Sequence, residues 1–287
     1  MPNFDLHCHS NVSDGLLAPA ELVARAHAAG VEVLALTDHD DTSGLDEART
    51  AALEQGMLFV NGVEISVSWK KYTLHIVGLH VDPTHAALQQ GLAKIREGRM
   101  ERAVRIAAAL EVAGIPGSLE GARAFAENQQ LIGRSHFARF LVAHGYAKDV
   151  KTVFKKFLVQ GKPGHVSHQW AELGDAVGWI CSAGGIAVLA HPGRYPIGST
   201  NMRTLLAEFK EAGGTAVEVM TAAHTAEHSR LFAGYAQEFG LLASRGSDFH
   251  GPGESYIEPG RLPDLPANCT PVWHDWAETK ALAVGRS

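Results

Sequence analysis

His7 and His9 stand one residue apart in "FDLHCHSNVSDG" (4–15), directly after a short apolar run, and Asp14 lies five residues further on. On a strand, alternate residues face one side, so the two imidazoles point the same way. A lone His-x-His pair is more often a surface or packed pair than a metal site. The rest of the chain changes that weighting. Of the 16 histidines, several stand beside carboxylates at the ends of apolar runs. Asp38 and His39 follow "VEVLALT", Glu64 ends "NGVE", His75 lies in "YTLHIVG", His191 ends "IAVLAH", and Asp248 pairs with His250 in "SRGSDFHG" (244–251). Imidazoles mixed with carboxylates are the donor set of transition-metal and zinc sites.

The elements that must position these residues alternate in type. "NFDL" is a short strand, and residues 19–30 form a helix with Pro19 at its first position and Gly30 at its stop. Residues 31–40 are a buried strand with a polar end, and 43–56 a helix with Ser43 as N-cap. Residues 57–67 and 72–81 are strands joined as a hairpin through "SWKK". From 85 to 165 no strand signal occurs: a long helix over 85–114 precedes shorter ones over 121–129, 134–145 and 149–161, closed by "GKPGH". Alternation then resumes, with helices over 171–184, 201–213 and 225–239 and strands over 186–192, 216–220 and 241–250. Residues 251–287 read as a closing strand and a short tail. Such alternation predicts a largely parallel sheet or barrel, whose C-terminal strand ends converge on one face. The expected division is a barrel over 1–84 and 166–287 with an all-helical insertion, or cap, over 85–165.

Composition narrows the function. With 287 residues, 46% hydrophobic and 20% charged, one large domain or a domain with an insertion is expected. The net charge of −6 argues against a general polyanion-binding surface, so any phosphate must be recognised locally. Cys8, Cys181 and Cys269 are too few and scattered for a disulfide framework. No signal-like start or run of 18 apolar residues is present. A cytoplasmic enzyme without a membrane partner is the expectation.

The motifs "DLHCHSNVSDG" (5–15), "LTDHD" (36–40), "VEIS" (63–66) with "LHIVG" (74–78), and "LAHPGR" (189–194) with "GSDFH" (246–250) resemble the PHP family, named for DNA polymerases and histidinol phosphatases. The wider amidohydrolase pattern also begins with His-x-His but needs a bridging lysine and a lone late aspartate, whereas here Glu64 stands where a bridging anion is wanted and Asp248 is followed by His250. The resemblance implies an α/β fold, a distorted (β/α)7 TIM-like barrel with a helical cap. It also implies up to three divalent metal ions on His7, His9, Asp14, His39, Glu64, His75, His191, Asp248 and His250. The implied partition sets His7, His9 and Asp248 on one ion. Glu64 bridges it to a second on His75 and His191, and Asp14, His39 and His250 hold the third. Imidazole-rich shells with a few carboxylates suit Mn²⁺, Fe²⁺ or Zn²⁺ better than Mg²⁺ or Ca²⁺; Mn²⁺ is the expected ion, with Zn²⁺ or Fe²⁺ as alternatives. Adjacent divalent ions acidify a bridging water and neutralise phosphate charge, which is the chemistry of phosphate-ester hydrolysis. Asp38 and Asp40, flanking His39, are either its orienting partners or solvated loop acids.

Arginines mark the insertion. Arg96, Arg99, Arg102 and Arg105 recur every three residues, and such faces are usually solvated. Arg134 with Ser135, after Gly133 at a helix start, makes an anion-binding corner, and Arg194 follows "AHPG" beside the expected metals. Arg102, Arg105, Arg134, Ser135 and Arg194 are the expected substrate contacts. The insertion and "GKPG…W" (161–170) resemble a bacterial PHP branch that includes enzymes acting on nucleoside 3',5'-bisphosphates and on short 5'-phosphorylated RNA. The expected activity is release of the 3'-phosphate from a nucleoside 3',5'-bisphosphate such as 3'-phosphoadenosine 5'-phosphate. The alternatives are a 5'→3' exonuclease on short RNA, a histidinol-phosphate phosphatase, a non-catalytic metal-binding module and, more remotely, an amide hydrolase. Small phosphorylated nucleotides or short oligonucleotides, not long duplexes, are the expected partners.

Overall fold

The computed structural model describes residues 2–285. Its strands and helices alternate as β1 (Phe4–Asp5), α1 (Pro19–Ala28), β2 (Val33–Leu36), α2 (Leu45–Glu54), β3 (Leu58–Trp69) and β4 (Tyr72–Leu79). A helical stretch follows: α3 (Ala86–Val112), α4 (Ser118–Arg123), α5 (Arg134–Ala143), α6 (Val150–Val153) and a π-helical turn over Phe154–Leu158. The chain then returns through β5 (Ala171–Glu172), α7 (Leu173–Ser182), β6 (Ile186–Leu189), α8 (Ser199–Glu211), β7 (Ala216–Thr221), α9 (Ala226–Phe239), β8 (Leu242–Gly246) and α10 (Ala277–Gly285).

Seven strands run in the order β1-β2-β3-β4-β6-β7-β8, with β5 beside β3. The ends meet where Leu6 N donates to Arg245 O (3.0 Å), Asp248 N to His7 O (2.8 Å) and His9 N to Phe249 O (2.9 Å), so the sheet closes into a barrel. Neighbours are parallel except around β4, which runs antiparallel to both β3 and β6. The reversed strand explains His75. It lies early in β4, opposite Ser66, and a reversed strand presents its N-terminal half where its neighbours present their C-terminal ends.

Apolar alternation sorts the interior. Leu6 joins the barrel core with Val33, Ile65, Ile76, Val188 and Val217, while Cys8 turns outward into a second cluster with Leu22, Leu34 and Ala48 under α1 and α2. A third cluster, including Ile106, Leu110, Phe137, Leu141 and Leu158, belongs to the helical stretch alone. α3 spans both: Leu88, Leu92 and Ile95 pack on the barrel core, whereas Ala103, Ile106 and Leu110 pack in the helical cluster. A boundary at residue 85 therefore falls before three turns of helix that share the barrel's core. No helix among the described residues is long and apolar enough to cross a membrane.

Four local expectations are corrected. Ser43 does not cap α2; Gly44 holds that position, and Ser43 N donates to Asp41 Oδ1 (2.7 Å), an Asx turn in which the aspartate supplies the acceptor. Glu64 does not end its strand, since β3 runs on to Trp69 in partnership with β4. α4 occupies 118–123 instead of 121–129: left-handed Gly117 starts it, and Gly121 is an interior residue because any side chain there would strike Phe140. Residues 251–285 contain no closing strand. Pro252, Pro259, Pro263 and Pro266 cannot donate to a ladder, and the segment pairs with β8 as a strand would only at an isolated bridge, Ala243 to Pro271, before α10.

Candidate metal centre

The strand ends bring all nine expected ligands to one mouth of the barrel. Glu64 is at its centre, fully buried on β3. Its Oε1 lies 2.9 Å from both His75 Nδ1 and His191 Nε2 and 3.4 Å from His7 Nε2. Its Oε2 lies 2.9 Å from His39 Nδ1 and 3.3 Å from His9 Nε2. Asp248 Oδ1 approaches His9 Nε2 (3.4 Å) and His7 Nε2 (3.6 Å), and Asp14 Oδ1 approaches His250 Nε2 (3.3 Å) and His39 Nε2 (3.9 Å). Donor atoms converge within 4.8 Å in four groups: His9, Asp14, His39, His250; His7, His191, Asp248; His7, His9, Glu64; and His39, Glu64, His75. The groups differ from the expected partition by setting His191 with His7 and Asp248, apart from His75, His9 also with Asp14, His39 and His250, and His39 also with Glu64 and His75.

Several of these contacts are poor hydrogen bonds and good metal geometry. His7 Nε2 and His9 Nε2 face each other at 3.1 Å. Glu64 Oε2, Asp14 Oδ1 and His39 Nδ1 are buried yet have no hydrogen-bond partner, although His39 Nδ1 lies 2.9 Å from Glu64 Oε2. The distance is right for a bond and the angle is wrong, which leaves lone pairs aimed at common points. Buried lone pairs without protons are costly unless a cation fills the gap. The residues fit divalent ions. Burial pushes His9 down to about 3 and His75 down to about 4, keeping both neutral as a metal ligand must be. Burial would raise Glu64, but His75, His39 and His7 hold it well below the carboxylate range.

Local backbone conformation aims the ligands. Asp40, His191 and Asp248 all have positive φ, at 53°, 28° and 53°, beyond strands β2, β6 and β8. Asp tolerates the left-handed region; for His191 it is strained and must be held by its surroundings. Gly246 permits the barrel's closure, because a side chain there would collide with His7. Asp38 is buried at the base of the first loop, where it accepts from Ser10 N (2.8 Å), Ser10 Oγ (2.6 Å) and Ser13 Oγ (2.5 Å). Asp40 accepts from Ser66 N (2.7 Å) and Arg99 Nε (2.7 Å). Both aspartates thus brace loops and touch no imidazole.

The helical stretch forms the opposite wall. A cavity is lined by Asp14, His39, Glu64, His75, His191, Asp248 and His250 on one side and by Arg99, Arg102, Arg134, Ser135, Phe154 and Trp170 on the other. Arg99 is spent on Asp40 and Ser66, and Arg194 Nη1 donates to Asp248 Oδ2 (2.8 Å). Ser135 Oγ donates to Asp14 Oδ2 (2.8 Å). Arg102 and Arg134 are different: among the described residues neither makes a hydrogen bond or ion pair. They rest on aromatic faces, Arg102 over Trp170 (5.2 Å) and Arg134 over Phe154 (5.6 Å). Burial, then the neighbouring arginines, push Arg102 down to about 8 and Arg134 down to about 10. Two strained cations thus face the ligand cluster. Arg105 is not among them; it is exposed and bonded to Ser167 O (3.1 Å) and His168 Nδ1 (2.9 Å). Arg96 bonds Asp40 O (2.9 Å).

Residues missed in the sequence support the cluster from behind. Tyr195 Oη accepts from His75 N and donates to Ala190 O, each 2.9 Å. Arg139 donates to Asp14 O (2.6 Å) while forking onto Glu254. Glu218 touches His7 and His191. Only Glu218 carried a readable signal, as a lone acid in the apolar run "AVEVM".

A barrel whose strand ends gather imidazoles and carboxylates around one buried glutamate is a metal-dependent hydrolase scaffold. The PHP domain model matches residues 5–222, and the chain belongs to the PHP family. It is 53% identical over 96% of its length to the 3',5'-nucleoside bisphosphate phosphatase of Chromobacterium violaceum, covering 96% of that protein. To a 5'-3' exoribonuclease of Haemophilus influenzae it is 44% identical over 94% of its length and 97% of the relative. A solved structure of an amidohydrolase from Chromobacterium violaceum, with bound sulfate and no metal, superimposes with a TM-score of 0.93 at 53% identity, covering 95% of each chain.

Proposed function

We propose that this protein is a metal-dependent phosphohydrolase that removes the 3'-phosphate from nucleoside 3',5'-bisphosphates. The observation that carries this reading is the pairing, in one cavity, of the Glu64-centred cluster with two arginines that have no partner. The similarity to a bisphosphate phosphatase at 53% identity supports it. In this reading His7, His9, Asp14, His39, Glu64, His75, His191, Asp248 and His250 hold up to three ions, Mn²⁺ first among the candidates. Bound there, divalent ions supply an acidified water and Lewis-acid charge on the ester oxygens. The chain's own groups do the rest. Glu64 presents one oxygen to each side of the cluster, and His9, His75 and His191, which burial pushes towards the neutral form, are ready donors. Arg102 and Arg134, with Ser135 at the start of α5, hold the second phosphate away from the scissile bond. Arg194, already on Asp248, adds charge beside the reacting ester. Residues 85–165 act as the cap that closes the cavity and favours small substrates.

A second reading is favoured by the exoribonuclease relative. The same geometry would hold the 5'-phosphate of a short RNA and cleave the next phosphodiester. Product analysis with Mn²⁺-loaded enzyme on 3'-phosphoadenosine 5'-phosphate and on a 5'-phosphorylated RNA trinucleotide separates the two. Fast inorganic phosphate release from the first with little cleavage of the second is expected. Efficient stepwise mononucleotide release from the trinucleotide would instead establish the exonuclease, and inactivity on both would overturn the phosphohydrolase reading.

A further inference from the structure

β7 contributes none of the nine expected ligands, yet it carries a carboxylate into the barrel. Glu218 is 1% exposed, and among the described residues no lysine or arginine pairs with it. Its two oxygens have separate tasks. Oε1 lies 2.7 Å from His7 Nδ1, and Oε2 accepts the backbone N–H of His191 at 2.5 Å.

An acceptor at Nδ1 keeps the His7 proton on that nitrogen and turns Nε2 inward as a lone pair, towards His9, Glu64 and Asp248. At the other oxygen, the acceptor holds a residue with φ 28° and ψ 54°, a conformation that persists only where the surroundings impose it. The same turn is held two residues on. Gly193 N donates to His224 Nε2 (3.0 Å), while His224 Nδ1 donates to Val219 O (3.1 Å). Both acceptors come from β7 and the turn that follows it.

We propose that Glu218 is a positioning residue that sets the tautomer of His7 and the backbone of His191 together. The proposal deepens the reading above, because it takes His7 and His191 as metal ligands. The geometry demands a carboxylate and not merely a side chain of that volume. Glutamine offers one acceptor and one donor. Whichever way its amide turns, the NH₂ group meets either His7 Nδ1, drawing the ring proton to Nε2, or the His191 N–H, donor against donor.

The test compares the full-length wild type with Glu218→Gln, using equilibrium dialysis against Mn²⁺ with elemental analysis, and the melting temperature of the metal-free chains. Glu218→Gln is expected to bind Mn²⁺ about 10–100-fold more weakly while remaining folded. Wild-type stoichiometry and affinity in Glu218→Gln would overturn the inference. A second measurement does not depend on the variant folding: ¹⁵N-histidine spectra of the Zn²⁺-loaded wild type should show the His7 proton on Nδ1 and Nε2 shifted as a ligand. A proton on Nε2 overturns the inference even if the variant loses metal. A wild type that takes up neither ion fails at the earlier step, overturning the ligand reading and the proposal with it.

Discussion

The two walls of the cavity handle charge in opposite ways. On the barrel side every carboxylate is shared: Glu64 among five imidazoles, Asp14 between His39 and His250, Asp248 among His7, His9, His250 and Arg194. On the helical side Arg102 and Arg134 have only aromatic rings beneath them, and burial works against their charge. The barrel wall is organised before anything binds, because its side chains hang from strand ends locked by the closure between β1 and β8. The helical wall keeps its charge in reserve, and an anion would relieve it.

Breaking the barrel wall should have the largest effect. His75→Ala or Asp248→Asn is expected to lower turnover at least about 10³-fold, since metal-assisted charge stabilisation contributes several kcal/mol. Phosphate release under Mn²⁺ saturation checks this, and near wild-type rates in either variant would contradict the ligand set.

The next effect belongs to the helical wall's stability. His136, 1% exposed at the start of α5, accepts the Gly133 N–H at 3.0 Å, and burial pushes it from the ordinary 6.5 down to about 4. A base held neutral by folding stabilises fully above its unfolded value, and that contribution is lost as pH falls from 6.5 towards 4. The wild type is therefore expected to lose up to about 3 kcal/mol more than His136→Gln across that window, read by denaturant titrations at each pH.

Arg134→Ala sharpens the contrast in function. Removing a charge-assisted bond of about 1.5–3 kcal/mol should cost kcat/KM roughly 10–150-fold on substrates with a second phosphate. Monophosphates lacking it should be nearly unaffected; equal losses on both would place the arginine outside the clamp. Smallest of all is Arg105→Ala. Its guanidinium is exposed and points to Ser167 and His168, so a change within about twofold is expected on every substrate. A large loss would mean the helical wall rearranges on binding.

The chemistry was readable in the chain because ligand types are scarce and strand ends are marked by apolar runs. "LHCH", "TDHD", "VEIS", "AHP" and "SDFH" each carry their own signal. The long helix and the strand–helix alternation were readable for the same reason, being set by local periodicity. Elsewhere sequence reasoning failed where a residue's meaning depends on a distant partner. Ser43 looks like a cap until Asp41 takes the bond, and Gly121 looks like a helix start until Phe140 packs against it. The C-terminal prolines, which cannot donate to a ladder, themselves argue against a closing strand.

Within the arginine run, the sequence sets Arg102 and Arg105 alike among the expected substrate contacts and leaves Arg99 out. Folding separates them into a brace on Asp40, a free cation over Trp170 and a surface contact, because helical period turns each residue towards a different neighbour. Residue identity by itself determined the donor set, the alternating architecture and the family. Only the tertiary structure decided which donors share an oxygen, which way β4 presents His75, and that Glu218 stands behind His7 and His191. Ligand type is a property of one residue, whereas lone-pair direction and unpaired charge are properties of what burial brings beside it.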